Sequence, residues 1–220
     1  MDKSKWPARA VLPVAQPGLK FIVITILITG MLFYFGWIVF AWIFMAITLF
    51  ICWFFRDPDR IIPEGEKSLI CPADGRVIVV EKQAQCDYLS GACIKVSIFM
   101  NVFNVHVNRM VYDGTITDVN YHPGKFFSAN LDKASRDNEH NVLTLEGPGG
   151  HRLVVVQIAG LIARRIVCGV QPGTTLVRGE RFGMICFGSR LDVYLPPETK
   201  IKVSLGDKVA AGTSTLGYLK

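Results

Sequence analysis

Charge is what this 220-residue chain lacks over its most telling stretch: from Phe21 to Phe55 no charged side chain occurs for 35 positions. As one helix that run would measure roughly 52 Å, far beyond a hydrocarbon core of ~30 Å, so a single straight span fits badly. Splitting it at Gly36-Trp37 gives pieces of about 15 and 19 residues, which predicts a tilted or re-entrant helical hairpin. A small-residue cleavage site is also missing before Arg56, and the hydrophobic region is too long for a signal peptide. A buried core hairpin in a soluble protein is the alternative reading. Basic residues bracket the run, with Lys3, Lys5, Arg9 and Lys20 before it and Arg56 and Arg60 after it. The positive-inside rule then puts both ends in the cytoplasm, with Trp37, Trp42 and Trp53 available near interfaces. The chain divides accordingly into a cytoplasmic tail (1–20), a transmembrane or re-entrant hairpin (21–55) and one domain of ordinary size (56–220).

Other absences narrow the function. The six cysteines, at 52, 71, 86, 93, 168 and 186, show neither metal-ligand pair spacing nor a short secreted framework, so they read as reduced, mostly buried thiols and no metal is implied. The net charge of +6 is scattered rather than clustered, and no nucleic-acid motif occurs, which argues against a nucleic-acid partner. It suits an anionic leaflet instead, where a basic residue near the surface contributes on the order of 1 kcal/mol. Beyond Arg60, helical periodicity gives way to short β-rich runs between Gly, Pro and Asp-Gly turns, such as Arg76–Val80, Ile94–Phe99 and Arg152–Val156. A mainly β sandwich or barrel follows. The polar connection from Phe126 to Asn141 reads as a mobile loop able to cover a site.

Two internal repeats sharpen that fold. Val170-x-x-Gly173-x-x-Leu176-x-x-Gly179 and Val203-x-x-Gly206-x-x-Val209-x-x-Gly212 share one spacing, and Asp74-Gly75 and Asp113-Gly114 each precede a strand-like run, as paired half-barrels would require. The second repeat is similar to lipoyl-type β-sandwich domains. A carrier's modified lysine at a hairpin tip is not evident, so the similarity bears on fold alone.

What is present is a dipeptide able to make a cofactor from the backbone. The Ser189 hydroxyl can attack the carbonyl of Gly188, because glycine there removes the Cβ that would block the required bend. The peptide becomes an ester. β-Elimination then frees a C-terminus at Gly188 and leaves dehydroalanine, which tautomerises and hydrolyses to an N-terminal pyruvoyl ketone. A serine hydrolase reading of Ser189 lacks the Gly-x-Ser-x-Gly elbow, since Phe-Gly-Ser-Arg-Leu offers glycine only before the serine.

Four segments set this dipeptide in context: Phe54-Phe-Arg-Asp-Pro-Asp-Arg60, Pro72-Ala-Asp-Gly75, Phe103-Asn-Val-His-Val-Asn-Arg109, and Gly179-Glu-Arg-Phe-Gly183 leading into Phe187-Gly-Ser189. With them the chain resembles the phosphatidylserine decarboxylase proenzymes, in the compact branch of that family. The resemblance implies self-cleavage into 1–188 and 189–220, which stay associated, and a pyruvoyl group from Ser189 with no metal. The substrate implied is phosphatidylserine in the bilayer, on the cytoplasmic side of the cell membrane. A related serine lipid such as archaetidylserine is the alternative substrate. A non-catalytic, membrane-anchored lipoyl-like adaptor is the alternative function, and association into a homo-oligomer stays open.

The resemblance maps processing and catalysis onto Asp74, His106 and Ser189. Larger relatives carry His-x-x-His, but here the second histidine is Arg109, which cannot act as a base near neutral pH. Arg109 is therefore a candidate for binding a phosphate or carboxylate. Each has a plainer reading: Asp74 as a turn residue, His106 as a solvent-facing strand residue, and Arg109 as partner of a structural carboxylate such as Asp113. His122 and His140 read as loop bystanders, and His151 as a surface residue.

Overall fold

The computed structural model describes residues 6–7, 13–130, 134–161, 165–186 and 188–220 and falls into two compact units that divide between Asp59 and Arg60. The basic side chains of Lys3, Lys5 and Arg9, and Phe187 beside the scissile dipeptide, lie outside the described residues.

In the N-terminal unit the uncharged run forms two helices, α1 (Gln16–Tyr34) and α2 (Ile38–Phe54). Helix α1 starts ahead of Phe21, with Pro17 in its first turn, where a missing N–H leaves no intrahelical bond unmade. It therefore includes Lys20. The chain reverses at Phe35-Gly36-Trp37, where Gly36 takes φ +76° and Trp37 N–H donates to Leu32 O at 2.9 Å. Small residues line the contact between the helices: Ala41 is buried and Thr29 Oγ1 lies 3.4 Å from Thr48 Oγ1. Leu27, Met31, Val39, Trp42, Leu49 and Trp53 face outward. Helix α1 is long and apolar enough to cross a membrane, and α2 is a shorter apolar helix.

The second unit is all but entirely β: β1 Ser68–Ile70, β2 Gly75–Gln83, β3 Cys93–Met100, β4 Val107–Arg109, β5 Gly114–His122, β6 His140–Glu146, β7 Arg152–Ile158, β8 Ile166–Cys168, β9 Thr175–Leu176, β10 Arg181–Ile185, β11 Ser189–Leu195, β12 Lys200–Ile201, β13 Lys208–Val209 and β14 Thr215–Tyr218. Eight form one antiparallel sheet in the order β13-β2-β3-β11-β7-β6-β5-β9, and two three-stranded sheets, β4-β10-β8 and β1-β14-β12, accompany it. The large sheet is symmetric about the β11–β7 pair. Each repeat supplies an outermost strand, β9 or β13, set between glycines of positive φ: Gly173 and Gly179 for one, Gly206 and Gly212 for the other. Each pairs with the run that follows an Asp-Gly, Val209 opposite Gly75 and Leu176 opposite Gly114. The halves expected from the repeats are thus present.

Their connections differ, and that difference places the site. In one half, Gly147–His151 joins β6 to β7 as a tight turn; in the other, residues 101–188 separate β3 from β11. Ser189 stands where that long excursion returns to the sheet. One apolar core draws on all three sheets, with Leu69, Ile98, Leu143, Phe182, Leu191 and Leu216 fully buried. Side chains of this kind contribute about 1.5–3 kcal/mol each when removed from water. Strand β11 alternates within this frame: Leu191, Val193 and Leu195 enter that core, while Tyr194 packs in a second cluster with Val154, Val156 and Ile158.

Candidate active site

Ser189 is the first residue of β11, fully buried, with Met100 of β3 as its cross-strand partner and its Oγ 4.0 Å from Met100 Sδ. Gly188 before it takes φ +57°, the left-handed region, yet a Cβ there would meet nothing within 4 Å. Glycine is therefore required for the backbone bend and not for room. The crowded glycine is Gly160, where a Cβ would lie 1.7 Å from the Gly188 carbonyl oxygen, so the scissile carbonyl is seated directly against Gly160. The polypeptide before Gly160 is fixed in turn. Asn138, buried, donates from Nδ2 to Ala159 O (2.7 Å) and to Phe127 O (2.8 Å) and accepts Phe127 N–H at 2.9 Å.

The connection expected to be a mobile loop is therefore fastened at Asn138 beside the scissile bond, and residues 131–133 within it lie outside the described residues. Its last residues, His140 and Asn141, already belong to β6. His140 and His122 are cross-strand partners with ring centroids 4.7 Å apart, His122 closing β5 ahead of the connection and His140 opening β6, so His140 lies in a strand and not in the loop. His151 is half-buried, after the β6–β7 turn.

Asp74 precedes β2, and the backbone carbonyl of Phe99, next to Met100, lies so close over Gly75 that a Cβ there would meet it at 2.2 Å. Register thus brings Asp74 to the same end of the sheet as Ser189. Its carboxylate is engaged: Oδ1 accepts Ala211 N–H (2.7 Å) and Oδ2 pairs with Arg60 Nη2 (3.0 Å). Sequence reasoning missed Arg60, although it closes the first of the four segments.

His106 precedes β4, and its carbonyl accepts Ile185 N–H (3.3 Å) just before the chain reaches Cys186 and Gly188. The alternation with Val105 and Val107 suggested a solvent-facing alternative, but all three are buried, His106 completely. Both faces of this segment are therefore covered, which a period of two along one strand does not report. Arg109, also buried, donates from Nη1 to Gly179 O (3.0 Å), and its Cδ would lie 3.0 Å from a Cβ on Gly212, beside Ala211. Arg60, Asp74 and Arg109 therefore meet around the Ala211-Gly212 turn.

Two further features bear on the chemistry. Cys186, two residues before Gly188, is buried, and burial pushes its thiol up to about 11, so it stays protonated near neutral pH. On the opposite face of β11, Arg190 Nε donates to Asp192 Oδ1 (2.6 Å), its Nη2 donates to Ser97 Oγ (2.8 Å), and Lys95 Nζ sits 3.4 Å from Asp192 Oδ2. Arg190 and Lys95 line a polar cavity of about 770 Å³ with Tyr88, Tyr194 and His140, on the side of the strand away from the Ser189 hydroxyl.

The family model for phosphatidylserine decarboxylase matches residues 47–217. A phosphatidylserine decarboxylase proenzyme of Syntrophus aciditrophicus is 53% identical over 207 residues, covering 93% of this chain and 96% of that protein. Those of Geotalea uraniireducens and Burkholderia ambifaria are 47% and 46% identical, each covering 94% of this chain and 97% and 96% of theirs. With the matched region running from α2 through Asp74, His106 and the Gly188-Ser189 junction, this chain belongs to the phosphatidylserine decarboxylase family.

Proposed function

We propose that the chain is a membrane-bound, self-processing decarboxylase that converts phosphatidylserine to phosphatidylethanolamine and CO2, using a pyruvoyl group made from Ser189. The observation that carries this reading is the Gly188-Ser189 junction: a buried hydroxyl follows a glycine bent to φ +57°, whose carbonyl is seated against Gly160. In processing, Ser189 Oγ bonds to the Gly188 carbonyl carbon, its proton passes to a base, the C–N bond breaks and the nitrogen takes a proton. Asp74 and His106 are the residues assigned to orient or accept that proton. Loss of the Ser189 Cα proton then expels the Gly188 carboxylate, and water replaces the nitrogen, which leaves as ammonia.

The group so formed supplies an electron sink for the carbon that loses CO2. His106 is assigned to return the proton to that carbon, and Arg109 to hold the anionic headgroup. Residues 189–220 remain in place after the break because β11 lies between β3 and β7 and is tied to β3 by Arg190 to Ser97 and by Lys95 to Asp192. The apolar helices hold the enzyme at a bilayer that contains its substrate, with both flanks of the hairpin in the cytoplasm.

Intact mass tests the reading. Active wild-type protein should contain residues 1–188 and 189–220 as separate chains, the second blocked by a ketone that borohydride reduces. Ser189→Ala should remain one chain and release no CO2 from phosphatidylserine vesicles. An active, unbroken wild-type polypeptide excludes the pyruvoyl mechanism.

A further inference from the structure

Three buried amides form a directed line that ends at Met100, the cross-strand partner of Ser189. Asn141 Nδ2 donates to Gln157 Oε1 (3.2 Å), Gln157 Nε2 donates to Asn108 Oδ1 (2.8 Å), and Asn108 Nδ2 faces Met100 Sδ (3.9 Å). The Ser189 hydroxyl lies 4.0 Å from that same sulfur. None of the three amides is more than 2% exposed. Gly183 makes room for the line, since a Cβ there would sit 3.0 Å from Gln157 Nε2 and 2.3 Å from Val167 O. Asn108 and Gly183 belong to the two motif segments nearest the site, and neither has a part in the chemistry described above.

The line has a polarity. Gln157 occupies the Asn108 oxygen, so the Asn108 amino group is the end turned toward Met100 and the serine. Its acceptor there is a thioether, a weak one, although the first two bonds in the line join strong partners. A buried donor so placed interacts better with a negatively charged oxygen than with sulfur, and in a low-dielectric core such a preference is large.

We propose that Asn108 is a positioning residue for self-cleavage, held by Gln157 and Asn141 so that its amino group favours the negative charge that develops as Ser189 Oγ loses its proton and bonds to the Gly188 carbonyl. This rests on the self-processing reading above. The electrons end in the new ester and amine, and the amide line gains and loses nothing. It acts through a fixed dipole whose direction Gln157 sets.

Reversing that dipole without changing shape is the test. In Gln157→Glu an ionised carboxylate can only accept, so Asn108 must turn its amino group toward residue 157 and its oxygen toward Ser189. Freshly translated chains are followed for appearance of the 189–220 fragment from about pH 6 to about pH 9, and each rate is divided by that of wild type. The ratio should fall about tenfold or more at the alkaline end and return toward one as the glutamate protonates and donates as glutamine does. Asn108→Leu should be slow at every pH, and Asn108→Leu combined with Gln157→Glu should lose the pH dependence of the ratio. Asn141→Asp reverses the line from its far end and should carry the same pH signature, which keeps the test alive where Gln157→Glu does not fold. Folding of each is checked by melting in a Ser189→Ala background. A wild type that cleaves while the ratio for Gln157→Glu stays flat, or a double variant that keeps the pH dependence, overturns the role of the amide line alone. A wild type that never cleaves overturns self-processing, and the line with it.

Discussion

Asp74 and Asp113 are mates in the internal symmetry of the β unit. Each precedes the glycine that opens a long strand, and each accepts through Oδ1 a backbone N–H two residues beyond the paired outer strand, from Ala211 at 2.7 Å and from Arg178 at 2.8 Å. Asp74 also takes Arg60 at 3.0 Å and lies at the Ser189 end of its half. The motif residue thus combines an ordinary turn role, visible in its mate, with a place at the same end of the sheet as Ser189.

That pairing separates scaffold from chemistry. Asp113→Asn keeps an acceptor for Arg178 N–H and should leave the rate of fragment appearance within about twofold of wild type, with at most about 1 kcal/mol lost in stability. Asp74→Asn should slow processing about tenfold or more, and Arg60→Met should reproduce part of that defect. Melting of the corresponding Ser189→Ala forms gives the stability arm. Equal processing defects in the two aspartate variants exclude a special role for Asp74.

The two glycines at the junction should respond to alanine to very different degrees. Gly188→Ala meets open space and a φ of +57°, a cost of roughly 1–2 kcal/mol, so processing should slow by about tenfold and still finish. Gly160→Ala places a Cβ 1.7 Å from the scissile oxygen and should displace that carbonyl, leaving the chain intact over the same period. Gel time courses after a labelling pulse decide it, and rapid cleavage of Gly160→Ala removes the proposed seat for the carbonyl.

His106→Ala should abolish CO2 release from phosphatidylserine vesicles and also slow fragment appearance, because the proposed mechanism assigns His106 a part in both steps. Measuring both on the same preparation separates the roles. Full turnover by a completely processed His106→Ala enzyme removes His106 from the mechanism.

For topology, the useful labelling positions follow exposure. Ser68 is buried in β1, so Glu64, exposed just before it, is the better site beyond the hairpin, paired with Ser4 before it. In a background without native cysteines, cysteines at 4 and 64 should react with an impermeant reagent only after the membrane is opened. Opposite accessibility of the two positions shows a single crossing and excludes the hairpin.

Much of this protein was legible along the chain because local rules wrote it there. An uncharged run too long for one span has to fold back, and it turns at Gly36 as its composition indicated. The Val-x-x-Gly repeats announced the paired halves, since in each repeat two positive-φ glycines flank a short strand. The chemistry proposed for Gly188-Ser189 was read from those residue types together with the four segments around them. Burial and pairing across distant segments were decided only by tertiary structure. An alternating Val-His-Val pattern does not tell that its polar face is covered as well, so the burial of His106 required the fold. The partnership of Arg60 with Asp74, the seat of the Gly188 carbonyl on Gly160 and the amide line through Gln157 join residues 14 to 49 positions apart or lie across three strands. No local periodicity encodes such contacts, because hydrogen-bond direction and close backbone approach depend on register between strands that the sequence does not place side by side.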